Sequence, residues 1–289
     1  MSDEIKTNNN SEGYNLAVIG ATGNVGRELL EILHERNFPI KSLVALASEK
    51  SVGMKLPFGE GDDLEVKNLS DFNFTGTDIV LSSPGSEISK RYSPIAAEAG
   101  AVVIDNTSQF RMDPDVPLVV PEVNANDLSH YKRKGIVANP NCSTIQMVVA
   151  LKPLHEKSII NRIVVSTYQA VSGAGKIGMD ELFNQTQNIY ANQEVKKNKF
   201  TKQIAFNVIP HIGSFLDNGN TEEEQKMIDE TKKILDEGIK VSATCVRTAV
   251  FIGHSEAINI EFDSPLDAKE AQEILEKSEG ISVIDHRKD

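Results

Sequence analysis

The chain has 289 residues, 39% hydrophobic and 25% charged, enough to bury a large core but at the upper limit for one domain, so two domains are expected. An excess of 42 acidic over 30 basic residues leaves a formal net charge of -12, which opposes binding to nucleic acid or an anionic membrane surface. No apolar run approaches the roughly 18 residues of a membrane span, the start is polar without a signal-peptide core, and two cysteines cannot build a disulfide framework or a four-cysteine metal site. A soluble, cytoplasmic protein without a metal site is the expectation.

Residues 1–13, with three consecutive asparagines, lack hydrophobic periodicity and read as a flexible tail. Leu16-Ala17-Val18-Ile19 reads as a buried strand, the run GATGNVG at 20–26 as a glycine-rich turn, and Val25, Leu29, Ile32 and Leu33 as the apolar stripe of a helix. Strands at 42–47, 78–82, 101–105 and 135–138, with a helix near 88–99, continue a βα alternation that implies a Rossmann-like parallel sheet. After the motif NPNCST, a helical pattern runs from Ile145 toward Leu154. Beyond it, β-like segments at 159–167, 204–209, 240–250 and 257–262 alternate with helices near 179–192 and 222–235, and 281–285 reads as a last strand. The fold class is therefore α/β: a Rossmann-like parallel-sheet domain over 14–141, and an α+β domain with a mostly antiparallel sheet over 142–289.

GATGNVG spaces its glycines by three and is a relative of the dinucleotide fingerprint. Placed between a strand and a helix, the backbone of Gly20, Thr22, Gly23, Asn24 and Val25 can cradle a pyrophosphate at the positive helix end. An NAD-preferring site ends its second strand in Asp or Glu. Here that strand is followed by Ser48, Glu49, Lys50 and Ser51, and Ser48, Lys50 and Ser51 suit a 2′-phosphate, which favours NADP, although an inward Glu49 would repel it.

Cys142 falls where a helix begins, a position that stabilises a thiolate, among polar turn-forming neighbours. Cys245 lies in an alternating strand and reads as a packed thiol. A cysteine nucleophile needs a base. His254, after Gly253 in a break between two strands, and His211, after Pro210 in a loop, are the two candidates that spacing leaves open, while His34, His130, His155 and His286 look incidental.

Five segments in this order, GATGNVG, DNTSQFRMD, NPNCST, STYQAVSGAG and CVRTAVFIGHSE, closely resemble bacterial aspartate-β-semialdehyde dehydrogenases over about residues 14–289. The resemblance implies NADPH-dependent reduction of aspartyl 4-phosphate to aspartate 4-semialdehyde and phosphate, through a cysteine thioester, in lysine, threonine, methionine and diaminopimelate biosynthesis. It makes Cys142 the nucleophile, His254 the acid/base and Gln169 the residue that orients the acyl group. Arg247 would hold the substrate carboxylate, Arg111, Asn106 and Lys226 the phosphate, and Glu223, three residues before Lys226, the substrate ammonium. Ser172 and Gly173 would join the cofactor site, 14–141 would be the NADP-binding domain, and 142–289 would be the catalytic, substrate and dimerisation domain of a homodimer. Family members continue past Asp289 into a C-terminal helix, so a C-terminally truncated member is expected. The alternatives are the related N-acetyl-γ-glutamyl-phosphate reductase, whose acylated substrate needs no ammonium partner, and an inactive nucleotide-binding fragment.

Overall fold

The computed structural model describes residues 13–59 and 62–284, which form two units: Met1–Val119 with Asn126–Pro140, and Val120–Ala125 with Asn141–Asp289. The flexible tail expected over 1–13 lies outside the described residues, Gly13 excepted. A contiguous division at 141 therefore misses one short return: residues 120–125 join the second unit, where their helix packs on the one that begins at Cys142.

The first unit opens with β1 (Tyr14–Ile19), α1 (Asn24–Glu35) and β2 (Ile40–Ala47). A short hairpin-like pair follows, β3 (Lys55–Phe58) and β4 (Asp62–Asn68), then β5 (Ile79–Ser82), α2 (Ser86–Glu98) and β6 (Val102–Asp105). After α3 (Pro121–Asn124), which belongs to the second unit, β7 (Ile136–Ala138) completes a seven-stranded sheet of order β3-β4-β2-β1-β5-β6-β7. Every pairing is parallel except β3 with β4 at the edge. Ala17, Val18 and Ile19 of the inner strand β1 have no solvent exposure, as a sheet covered on both faces requires. The order reverses beside β1, so the glycine turn after β1 sits at the switch point where such sheets bind ligands.

The second unit contains α4 (Cys142–Lys157), β8 (Ile160–Gln169), α5 (Gly175–Tyr190), β9 (Val208–Ile209), α6 (Glu222–Ile234), β10 (Lys240–Thr248), β11 (Ser255–Phe262) and α7 (Ala268–Glu276). Its sheet has the order β11-β8-β10-β9, and two of its three pairings are antiparallel, with β8 and β10 parallel at the centre. Met147 and Leu151 of α4, Met227 of α6, and Ile163 and Val165 of β8 form the core between helices and sheet.

Two expected strands do not form as read. The segment 204–209 shrinks to Val208–Ile209, because Phe206 takes a positive φ of 58° and the amides of Ile204 and Ala205 bond to Gln185 Oε1 of α5 instead of a neighbouring strand. Residues 281–284 are irregular, and Asp285 lies outside the described residues. The pair β3–β4 and helix α7 were not anticipated, although Leu56, Phe58, Leu64 and Val66 alternate as buried positions, and Asp267 caps α7 by accepting from Glu270 N. Among the described residues no helix is long and apolar enough to cross a membrane.

Candidate active site

α4 starts with its nucleophile candidate in the first helical position. Asn141 is the N-cap, accepting from Ser143 N at 2.9 Å, so Cys142 opens the helix on its exposed end with the backbone N–H groups of the first turn nearby. Dipoles of this kind favour negative charge on a sulfur. Cys142 Sγ lies 3.2 Å from His254 Nε2. His211 instead meets Thr201 Oγ1 at 3.2 Å and stacks near Phe215, so the geometry pairs the thiol with His254. Cys245 is fully buried and its thiol is pushed up to about 12, first by burial, which makes it inert at neutral pH.

Around the Cys142–His254 pair the second unit gathers the other candidates. Gln169, at the end of β8, donates through Nε2 to Glu223 Oε1 at 3.0 Å and accepts through Oε1 from Thr167 Oγ1. Asn141 Nδ2 donates to the same Glu223 oxygen at 2.9 Å, while Lys226 Nζ sits 3.3 Å from Glu223 Oε2. Burial pushes the Glu223 carboxyl up, but Lys226 and the bonds from Gln169 and Asn141 outweigh it and hold the group below the ordinary carboxylate range. Arg247, buried on β10, donates through Nη1 to Ala170 O at 2.6 Å, and burial lowers its pKa although Glu223 opposes this. His254 is lowered chiefly by burial, assisted by the Arg247 charge and opposed by the Gly253 carbonyl and Glu223, so its ring is neutral at physiological pH.

Ser172 and Gly173 lie in a 3-10 turn beside Arg247, where a Cβ on Gly173 would come within 3.0 Å of Arg247 Nη1. Asn106 and Arg111 lie in the first unit. Arg111 Nη2 donates to Asn106 O at 3.0 Å, and the Asn106 side chain accepts from Asn139 Nδ2 at 2.6 Å. Beneath that loop, buried Asp105 accepts from Thr107 N, Thr107 Oγ1, Ser89 and Ser93.

In the glycine turn, Gly20 has φ +80°, and a Cβ on Gly26 would lie 2.2 Å from Gly20 O, so no other residue fits there. Gly23 caps α1 without a side-chain bond, which leaves a bare helix start with Thr22, Asn24 and Val25 around it. Ser48, Lys50 and Ser51 follow β2 in an accessible 3-10 turn, together with exposed Glu49. This cradle fits a dinucleotide.

Three residues escaped the sequence reading. Glu230 accepts from Asn141 N at 2.7 Å, Asn139 holds Asn106, and Ala170 bonds both Arg247 and His254 through its backbone. Glu230 had a legible signal, since it lies seven residues after Glu223 and so on the same face of α6. Backbone contacts such as those of Ala170 leave none.

Residues 15–131 match the model of the semialdehyde dehydrogenase NAD-binding domain, and residues 151–289 that of the semialdehyde dehydrogenase dimerisation domain. The chain belongs to the aspartate-semialdehyde dehydrogenase family. It is 55% identical over 277 residues to the aspartate-semialdehyde dehydrogenase of Aquifex aeolicus, an alignment covering 95% of this chain and 81% of that relative. The structure of aspartate semialdehyde dehydrogenase II from Vibrio cholerae complexed with ASA superimposes with a TM-score of 0.92 at 50% identity, covering 93% of this chain and 80% of that one. The Candida albicans aspartate semialdehyde dehydrogenase with NADP gives a TM-score of 0.71 at 26% identity, over 92% of this chain and 76% of that one. As a member of the family the protein is an oxidoreductase with a nicotinamide-dinucleotide-binding domain.

Proposed function

We propose that the chain uses NADPH to reduce L-aspartyl 4-phosphate to L-aspartate 4-semialdehyde and phosphate, with Cys142 as nucleophile. The observation that carries this reading is the 3.2 Å contact of Cys142 Sγ with His254 Nε2 at the start of α4, ringed by Gln169, Glu223, Lys226 and Arg247. The Cys142 thiolate attacks the acyl-phosphate carbon, a C–S bond forms, and the C–O bond to phosphate breaks. A bound NADPH supplies the hydride that reduces the thioester. The C–S bond then breaks, releasing the semialdehyde and restoring the thiolate. His254 is the proton-handling group beside the sulfur, and Gln169 orients the acyl group. The backbone N–H of Cys142, with Asn141 beside it, is the donor set for the oxyanion.

Arg247 takes the substrate carboxylate in a bidentate contact, and Glu223 takes the ammonium, a buried acid that an N-acylated substrate would leave without that partner. Arg111 and Asn106 in the first unit, and Lys226 in the second, are each candidates for contact with the phosphate. Gly20, Thr22, Gly23, Asn24 and Val25 of the first unit hold the dinucleotide, and Ser48, Lys50 and Ser51 favour NADP through its 2′-phosphate; Ser172 and Gly173 are the cofactor candidates of the second unit. A cytoplasmic homodimer fits the second unit, which exposes Ile177, Phe183, Tyr190, Phe206, Phe215 and Ile252 by more than half.

The deciding assay is NADPH formation from aspartate semialdehyde, NADP and phosphate, with a phosphate-free control. Phosphate-dependent reduction is expected, and Cys142→Ala is expected to abolish it while NADP binding survives. Failure of the wild-type chain to turn over, with NADP bound, would instead favour the inactive fragment.

A further inference from the structure

His254 has two ring nitrogens, and the fold makes a different demand on each. Nε2 faces Cys142 Sγ at 3.2 Å. Nδ1 receives the backbone N–H of Ala170 at 3.0 Å. A backbone amide can only donate, so Nδ1 must present its lone pair there, and a neutral imidazole with its lone pair at Nδ1 carries its proton on Nε2. The geometry points to Ala170 as the positioning residue of the site: its amide locks the neutral His254 ring as the Nε2–H tautomer, so that the imidazole meets Cys142 as a hydrogen-bond donor.

The consequence is chemical. A neutral ring in this tautomer offers no lone pair to a Cys142 S–H, so in the resting arrangement His254 meets the sulfur as the acid and not as the base. It stabilises negative charge on sulfur, or on the oxygen of a carbonyl that sulfur attacks, by donation from Nε2–H, and it can act as a base only after that proton has been passed on. The thiol can still donate elsewhere, because Asn141 Oδ1 lies 3.9 Å from Sγ. Taking up a second proton would place Nδ1–H against the Ala170 amide.

The surrounding groups act in both directions. Arg247 on β10 and burial disfavour the charged ring, while the Gly253 carbonyl and Glu223 on α6 favour it; Glu256 stands two residues further along the chain. The same Ala170 residue accepts Arg247 Nη1 on its carbonyl at 2.6 Å, so one backbone unit sets both the proton position on His254 and the placement of Arg247. A proline would suit the backbone angles, φ −63° and ψ 155°, but its Cδ would take the place of the N–H hydrogen and press on Nδ1, so the donor is removed isosterically only by exchanging the amide for an ester.

This inference rests on the reading of Cys142 and His254 as the reaction centre, but the proton position can be read without turnover. Protein labelled with 15N-histidine would be recorded by long-range 1H–15N correlation at pH 8, with His254→Asn identifying the ring. The expected spectrum has a protonated Nε2 and an unprotonated Nδ1. An Nδ1–H tautomer, or an imidazolium at that pH, would overturn the proposal, whatever the assay for semialdehyde reduction shows. The second arm is the pH profile of iodoacetamide alkylation of Cys142. Replacing Ala170 by lactic acid, which turns the amide N–H into an ester oxygen of the same shape, is expected to move the histidine-dependent inflection upward by about one pH unit, the ordinary spread of histidine values among protein environments, in protein shown to be folded by circular dichroism. Ala170→Gly, which keeps the amide, is expected to retain the wild-type tautomer and inflection. If the ester at 170 shifted neither, the amide would have no such role; if it failed to fold, the wild-type spectrum would decide alone.

Discussion

Three consecutive glutamates at the start of α6 have three different tasks. Glu222 Oε2 accepts from Ser214 N, Glu224 completes a capping box with Thr221 and also accepts from Cys245 N, and only Glu223 turns to Gln169, Asn141 and Lys226. The spacing to Lys226 singles out Glu223 in the sequence, and the reason it points inward is that its neighbours are committed to the helix cap and the adjoining loop and strand. Glu223→Gln is expected to raise the Michaelis constant for aspartate semialdehyde by roughly 10- to 100-fold, as befits one buried charge-assisted contact, and to leave that for NADP within twofold. Arg111→Ala should raise the constant for phosphate far more than that for the semialdehyde, and equal effects would sink its assignment. A different residue sets a pH dependence of stability. Burial pushes the Glu256 carboxyl up to about 7 from an ordinary 4.5, with the side chain of Gln146 opposing. A carboxyl raised in the folded state binds more protons there than when unfolded, so stability falls as pH rises from about 4.5 through about 7. Glu256→Gln is expected to add about 1–2 kcal/mol above pH 7, the full linkage being discounted for partial solvation, and almost nothing at pH 4. Thermal melts at the two pH values check this, and an equal shift at both would contradict it.

At the scale of elements, chemistry concentrates where strands hand over to helices. GATGNVG joins β1 to α1, and NPNCST joins β7 to α4, because a helix start offers N–H groups that nothing in the helix uses. The first turn depends on its glycines sterically: Gly26→Ala puts a methyl 2.2 Å from Gly20 O and 2.6 Å from Ala21 Cα, both backbone atoms. That substitution is expected to cost more than about 3 kcal/mol or to move the turn, with loss of dinucleotide binding measured by fluorescence titration. The second turn depends on a clamp. Glu223 and Glu230 of α6 bond the side chain and the backbone of Asn141, the cap of α4, so α6 positions Cys142 as well as carrying the proposed substrate-binding residues Glu223 and Lys226. These two turns were legible because glycine spacing and a Cys at a helix start are local signals. The clamp was not, since its partners are 82 and 89 residues away in the chain.

For the whole molecule, the exposed apolar side chains of the second unit call for a partner surface. Tyr190 and Phe206 meet edge-on at 5.8 Å while exposing 78% and 63% of their surface, an arrangement that water alone does not reward. Sedimentation is expected to show a dimer, with a melting temperature that falls on dilution because association stabilises the folded state by mass action. A monomer at all concentrations would contradict the homodimer. The acidic chain, with a pI near 5.1, must draw an anionic substrate against its net field, so Arg111, Lys226 and Arg247 are expected to act at short range.

Periodicity and motif order by themselves determined the fold class, the alternation of β1 through β7 apart from the β3–β4 pair, the glycine cradle and the candidate nucleophile, because each is written in neighbouring residues. Chain spacing could not choose between His211 and His254, since a loop histidine after Pro210 and one after Gly253 look alike until β11 is paired with β8. Tertiary structure decided that choice, the return of residues 120–125 to the second unit, the loss of the strand at 204–209 to a glutamine of α5, and the backbone bond from Ala170 that orients the His254 ring. All four depend on groups far apart in sequence, and a backbone N–H leaves no trace in the identity of the residue that carries it.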